Sequence, residues 1–345
     1  MRRPRARMVL LVVLALVAWI ALRQYEEAWL ARPLAALQQP VVFEVPAGAS
    51  LTAVAGSLAR AGWLDRSWIW IRHAKRTGAA TRIKAGEYQL LPGTTPAQLL
   101  RQFTAGQVLL HTLIIPEGWT FRQALAAMRA HPVVIHELSE LPQPELMARL
   151  GLADRHPEGL FFPDTYRFPR GTTDRELLRQ AHERLEHELE TAWGRRLPGL
   201  PLATSYEALI LASLVEKETG APEERPLIAG VFINRLRKGM RLQTDPSVIY
   251  GLGAAFDGNL RRRDLASDTP YNSYARAGLP PTPIALVGRE ALAAAMRPAP
   301  TDALYFVATG RGDGRHFFAG SLAAHNANVS RHLANLRRSG GHQVR

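Results

Sequence analysis

The sequence contains no cysteine among its 345 residues. That removes disulfides, thiolate metal ligands and a thiol nucleophile together, and fits a cytoplasmic or a periplasmic address equally. Low-complexity tracts and internal repeats are also missing. No strand–glycine loop–helix order with a GK[ST] signature exists, so the glycines of Gly310–Gly314 are not a phosphate loop. Arg311–Gly312–Asp313 within that run is a turn sequence. His316 and His325 have no close partners at ligand spacing, so neither a metal nor any other cofactor is expected. Acids are the scarcer charge: 30 Asp and Glu stand against 43 Lys and Arg, a net +13. Such a balance favours polyanions or an anionic membrane surface. The excess arginine is spread along polar helical stretches such as 175–196 and forms no dense block interleaved with aromatics. Nucleic acid is therefore not an expected partner.

What is present begins with a membrane signal. Arg2, Arg3, Arg5 and Arg7 precede Met8–Leu22, which carries no charge, and Arg23 closes the run. The run is slightly short for a span, but flanking side chains snorkel, and Tyr25 and Trp29 suit an interface. The arginines place the N-terminus in the cytoplasm and the rest of the chain outside. A small-x-small cleavage site is missing, which favours an uncleaved anchor over a signal peptide. The expected divisions are a cytoplasmic start (1–7), an anchor (8–25) and a stalk (26–40), followed by two folded modules.

The first module, 41–115, is short and alternating. Val41–Val45 reads as a strand, Leu51–Ala61 and Trp68–Lys75 as helices and Gly86–Leu90 as a strand. Thr95–Thr104 is a helix with Pro96 in its first turn, and Val108–Ile115 is a strand. This order is similar to a LysM-like subdomain, a small carbohydrate-binding fold of wall proteins. Trp63, Trp68, Trp70 and Tyr88 are either its glycan-stacking residues or its core.

The second module, 116–338, opens at Pro116–Trp119 and leaves a flexible tail, 339–345. Helices are expected at Phe121–Ala130, Gln143–Leu150 and Asp174–Leu197. Between the last two lies Glu158–Phe168 (EGLFFPDTYRF), whose aromatics read chiefly as packing. Leu304–Thr309 and Arg315–Ala319 form an expected hairpin. Tyr206–Thr219 (YEALILASLVEKET) is the most informative stretch. At 100° per residue, Glu218 continues the stripe of Leu211, Leu214 and Val215, whereas Glu216 falls on the opposite face. Glu216 and Lys217 then read as solvated charges. Apolar surroundings and the negative end of the helix dipole both disfavour an ionised Glu218. A carboxylic acid held protonated near neutral pH is suited to protonating a glycosidic oxygen. Such an acid is also compatible with a salt-bridged core residue.

Polar and aromatic clusters follow. Gln243, Thr244 and Asp245 stand together before Pro246, and Tyr271, Asn272 and Tyr274 form the run YNSY. Leu279, Pro280 and Pro281 belong to the rigid loop GLPPTPI. Rings stack on pyranose faces and short amides and acids bond hydroxyls. The same residue types also cap helices and shape turns.

Taken together, these segments resemble the endolytic murein transglycosylase (YceG-like) family. The resemblance is carried by EGLFFPDTYRF, ASLVEKET, Glu224–Arg225, VFINRLRKGMRLQTDPSVIYGLG, YNSY, GLPP, LYFVA and His325–Asn326. It implies a fold class of α+β, with a single N-terminal transmembrane helix, a small LysM-like α+β subdomain and a larger α+β catalytic domain. It implies Glu218 as the catalytic acid, and Gln243, Thr244, Asp245, Tyr271, Asn272, Tyr274, Leu279, Pro280 and Pro281 as substrate-binding residues. The implied reaction is non-hydrolytic cleavage of peptidoglycan strands, leaving 1,6-anhydro-N-acetylmuramic ends and terminating nascent strands. The implied address is the bacterial inner membrane with the catalytic domain periplasmic, and the implied partners include the penicillin-binding synthases. The alternative is a membrane-anchored, non-enzymatic wall-binding or scaffold protein. Two departures stand out: Thr282 replaces a usual glycine, and Leu286–Val287 replace Asn-Pro. Both put the shape of the subsites in doubt rather than the chemistry.

Overall fold

A computed structural model of the protein describes residues 3–34 and 36–340. The fold is mixed α+β, and the chain divides into two compact units. One is Met1–His111 with Arg167–Gly171; the other is Thr112–Tyr166 with Thr172–Arg345.

The first unit begins with helix α1 (Arg3–Leu30). The large apolar side chains from Met8 to Ile20 are 42–67 % exposed. Met8–Leu30 is long and apolar enough to cross a membrane. Burial starts at Glu26, which accepts from Arg76 Nη2 at 2.8 Å and meets His73 Nδ1 at 3.3 Å. Trp29 donates its indole N–H to Asp65 at 2.9 Å. Residues 26–40 are therefore not a free stalk. The helix runs on to Leu30, and Trp29, Leu30, Leu34 and Leu37 enter the core of this unit because their apolar surface has somewhere to go. Of the residues expected at the two ends, 1–2 and 341–345 lie outside the described residues.

Strands β1 (Val41–Val45) and β2 (Gly86–Leu90) pair antiparallel, with Val41 opposite Leu90 and Val45 opposite Gly86. Helices α2 (Leu51–Arg60) and α3 (Ser67–Arg76) lie between them in sequence. Helix α4 (Pro96–Ala105) starts at a capping box made by Thr95 and Gln98 and ends at Gly106, φ +70°. Trp70 and Tyr88 are fully buried, and each spends its polar atom on a backbone carbonyl, of Pro96 and Lys84 respectively. They are core. Trp68 stays half exposed. Strand β3 (His111–Ile114) is shorter than 108–115.

The second unit holds α5 (Phe121–Ala130), α6 (Gln143–Arg149) and, after β4 (Thr165–Phe168), α7 (Asp174–Gly194). The boundary between units passes through β3 and β4. Helix α8 (Ser205–Glu218) is the axis of this unit, with α9 (Arg225–Arg237), α10 (Asp245–Leu252) and the short α11 (Arg262–Leu265) following. Helix α12 (Arg289–Met296), the hairpin β5 (Tyr305–Ala308) and β6 (His316–Ala319), and α13 (Leu322–Gly340) complete it. Thus α13 takes in the first two residues of the expected tail, 339–345.

Helix α8 packs against α7, α9, α10 and α12, and every residue from Ala208 to Val215 is buried. An apolar surface on all sides is the mark of a central helix. Close approach is secured by small residues. Ala291, Ala294 and Ala295 face inward on α12, and a Cβ on Gly230 of α9 would lie 2.6 Å from the Ala299 carbonyl. In the hairpin turn, Thr309 donates to Asp313 at 2.6 Å and Gly310, Gly312 and Gly314 take positive φ. The Arg311–Gly312–Asp313 triplet serves that turn.

Candidate active site

The acid at the end of α8 is positioned from both sides. The helix is capped at its start by Thr204, whose hydroxyl accepts from Glu207 N at 3.1 Å. It stops where Thr219 becomes extended, φ −128°, and Pro222 follows; Gly220 does not take a left-handed turn. Midway, Ser213 accepts from Ile284 N at 3.0 Å, which ties the proline loop to the same helix.

Glu218 Oε2 accepts from the Thr244 hydroxyl at 2.7 Å. Oε1 makes no hydrogen bond among the described residues. Burial pushes the Glu218 carboxyl up to about 7, and the nearby charge of Asp245 pushes the same way. The Thr244 bond and the Arg235 guanidinium oppose that rise without cancelling it. The arrangement yields a carboxylic acid that is half protonated near neutrality and can give or take a proton through one free oxygen.

Around it, the sequence cluster 243–245 is held tightly. Gln243 takes φ +50°, uncommon for a residue with a Cβ, and donates its N–H to Ser273 O at 3.1 Å. Thr244 is buried, with its N–H on Ser273 Oγ at 2.9 Å and its carbonyl accepting from Ser247. These bonds aim its hydroxyl at Glu218. Asp245 opens α10 and accepts from the Tyr274 hydroxyl at 2.6 Å. Thr244 is thus bonded to the acid, Asp245 and Tyr274 lie within its electrostatic reach, and Gln243 is held against Arg235.

Other expected site residues sit elsewhere. Asn272 is fully buried and spends both ends on its own loop: Nδ2 on the carbonyls of Leu265 and Ser267, Oδ1 on the N–H groups of Tyr274 and Ala275. It shapes the loop and has nothing left for a sugar. Tyr271 turns the other way, edge-on to Tyr250 at 4.8 Å, with its hydroxyl 2.8 Å from Thr282 Oγ1. The threonine in place of glycine therefore supplies Tyr271 with a partner. In the proline loop, Pro280 is buried, Leu279 half-buried and Pro281 exposed.

Glu216 is a second correction. Its side chain is only 4 % exposed, bonds Arg225 at 3.1 Å and accepts from Gly288 N at 3.0 Å. Because α8 is covered all round, the face opposite Glu218 is no solvent face. Lys217 is exposed and donates to Gly118 O at 3.1 Å.

Two groups were not singled out from the sequence. Arg235 of α9 is buried and gathers the carbonyls of Leu304, Arg241 and Leu242 and the Gln243 side chain. Its guanidinium also lies 5.2 Å from the centre of the Tyr305 ring. Tyr305 in turn stacks on His325 at 5.2 Å. An arginine in the middle of an apolar helical run was the available signal. Glu158 is the other: burial pushes it up to about 7, although Phe121 N–H and the Tyr250 hydroxyl both donate to it. It borders a cavity of about 720 Å³ in the second unit. A further hollow of about 730 Å³, bordered by Arg82, Arg101 and Gln98, lies in the first unit and has no carboxylate.

Among the described residues no group of three or more His, Asp and Glu side chains converges. The constellation around Glu218 is a buried glutamic acid with a hydroxyl on one oxygen and Asp245 and Tyr274 beside it. Residues 43–331 match the YceG-like family model, and the chain belongs to that family. It is 30 % identical to an endolytic murein transglycosylase of Streptococcus pneumoniae over 85 % of its own length and 58 % of that protein's. The chain therefore spans less than two thirds of the streptococcal relative. It is also 30 % identical to an endolytic murein transglycosylase of Bacillus subtilis, over 85 % of each chain. A crystal structure of a YceG-like protein from Listeria monocytogenes superposes with a TM-score of 0.54 at 29 % identity, covering 84 % of this chain and 99 % of the other.

Proposed function

We propose that the chain cleaves the bond between N-acetylmuramic acid and N-acetylglucosamine within peptidoglycan strands, without adding water. The observation that carries this reading is the Glu218 carboxyl, raised to about 7 by burial and by Asp245 and left with one unbonded oxygen. The relatives named endolytic murein transglycosylase supply the substrate class.

Protonated Glu218 gives its proton to the glycosidic oxygen as that bond breaks. The charge of Asp245, held by Tyr274, stabilises the positive oxocarbenium-like sugar. Glu218, now ionised and supported by the Thr244 hydroxyl, takes the proton of the muramic O6 hydroxyl as that oxygen closes on C1. One residue thus serves as acid and then base, and its pKa lies where both states are accessible near neutral pH. Gln243 and Tyr274 position the sugar.

The apolar stretch of α1 anchors the protein in the inner membrane. Its preceding arginines remain cytoplasmic, so the two units act in the periplasm. The first unit serves as a LysM-like glycan-holding subdomain, and strand termination beside penicillin-binding synthases is the setting that suits an anchored, endolytic enzyme.

The test is digestion of uncrosslinked glycan strands by the full chain in detergent. Glu218→Gln is nearly isosteric but cannot transfer a proton, and cleavage falls by about 10³-fold or more while the fold is kept. Retained cleavage by this variant returns the chain to the wall-binding or scaffold reading.

A further inference from the structure

The cavity beside Glu158 does not include Glu218, yet the segments that carry the Glu218 site also border it. Lys217 borders it and immediately precedes the acid; Pro246 borders it and immediately follows Asp245. At about 720 Å³ it falls in the range of sites that hold a small organic ligand. Its panels are aromatic: Tyr250, Tyr271 and Phe256.

Among its polar groups two are cationic, Arg122 and Lys217. Arg122 is exposed and has no ion pair among the described residues, and Lys217 is bonded only to a carbonyl. The single acid of the wall, Glu158, has one oxygen on Phe121 N–H and the other on the Tyr250 hydroxyl, so both its oxygens are already engaged by the fold. Burial keeps it largely uncharged below neutral pH, which leaves the cavity positive. Two cations over aromatic and amide-lined walls fit a chain that carries carboxylates and methyl groups. An uncharged disaccharide would leave both cations unused.

We propose that this cavity receives the carboxylate-bearing peptide stem of a muramic unit bound at Glu218, with Arg122 as its principal anion contact. The inference rests on the proposed substrate, and it assigns a second determinant of specificity beside the reacting bond. Arginine meets carboxylates with two parallel hydrogen bonds, so its removal has a defined cost.

The experiment compares wild type and Arg122→Gln, both as full chain in detergent, on two substrates. One is uncrosslinked glycan with its peptide stems; the other is the same glycan after the stems are enzymatically removed. On stem-bearing strands Arg122→Gln raises KM about tenfold with kcat little changed; on stripped strands the two proteins agree. Equal losses on both substrates would make the cavity a sugar subsite, and no loss on either would exclude it from substrate binding. Calorimetric titration with a soluble N-acetylmuramoyl pentapeptide gives an independent readout. Binding by wild type that weakens about tenfold in Arg122→Gln supports the cavity assignment even if no strand is cleaved. Equal binding by both proteins overturns it.

Discussion

Glu158 and Glu218 are two carboxyls of the same unit, both lifted to about 7 and both joined to a hydroxyl group. Their surroundings separate them. Glu158 has a backbone N–H on one oxygen and Tyr250 on the other, and its neighbour in charge is Arg122. Glu218 has Thr244 on one oxygen, nothing on the other, and Asp245 as its nearest like charge. Burial alone raises a pKa; a free oxygen and an adjacent charge that stabilises a cation turn the raised acid into a proton-transfer group. One glutamate holds the start of a helix, and the other keeps an oxygen free, as the proposed proton transfer requires.

Predictions that sharpen this contrast descend in size from the loss at Glu218. Glu216→Gln gives the next largest effect, on stability. It leaves Arg225, 13 % exposed, with only the more distant carboxylate of Glu117 at 3.9 Å and weakens the hold on Gly288 at the start of α12. Thermal unfolding falls by roughly 3 kcal/mol, or about 6–12 °C, while the folded variant still cleaves. An unchanged Tm would contradict the buried ion pair. Thr244→Val removes the one hydrogen bond that supports ionised Glu218. The pKa rises further, so the alkaline limb of the pH–rate profile moves upward and kcat/KM drops about tenfold. A limb that moves downward would place another group in control.

The smallest effect belongs to Glu158→Gln, which lowers kcat less than tenfold. Its signature is in stability against pH. An acid whose folded pKa exceeds its ordinary 4.5 holds its proton more tightly in the folded state. Its contribution is whole below pH 4.5 and is lost as the pH rises through about 7. The glutamine variant lacks that loss, so its Tm declines less than that of wild type between pH 5 and pH 8. Parallel declines would show that Glu158 is charged throughout.

Much of this was legible in the sequence. Pro96 in the first turn marked the start of α4, and the short run Val41–Val45 marked β1, because these signals act within a few residues. The burial of Glu218 was also legible, through its place at the end of a helix in apolar company. Burial of Glu216 was not, since a helix enclosed by α7, α9, α10 and α12 has no solvent face and a two-sided reading assumes one. Asn272 misled because an amide in a tyrosine-rich run looks the same whether it serves a ligand or its own loop. The Glu158 cavity depends on bonds from Phe121 and Tyr250 to Glu158, 37 and 92 positions away in the chain, and no local pattern encodes it.

The central claim is that an oxygen of the sugar, and not of water, closes the reaction begun by Glu218. Mass spectrometry of glycan cleaved by the full chain in ¹⁸O-labelled water tests it most directly. The expected ends are 1,6-anhydro-N-acetylmuramic acid free of solvent oxygen. Reducing N-acetylmuramic ends carrying the label would contradict it and make Asp245 the second carboxylate of a hydrolase.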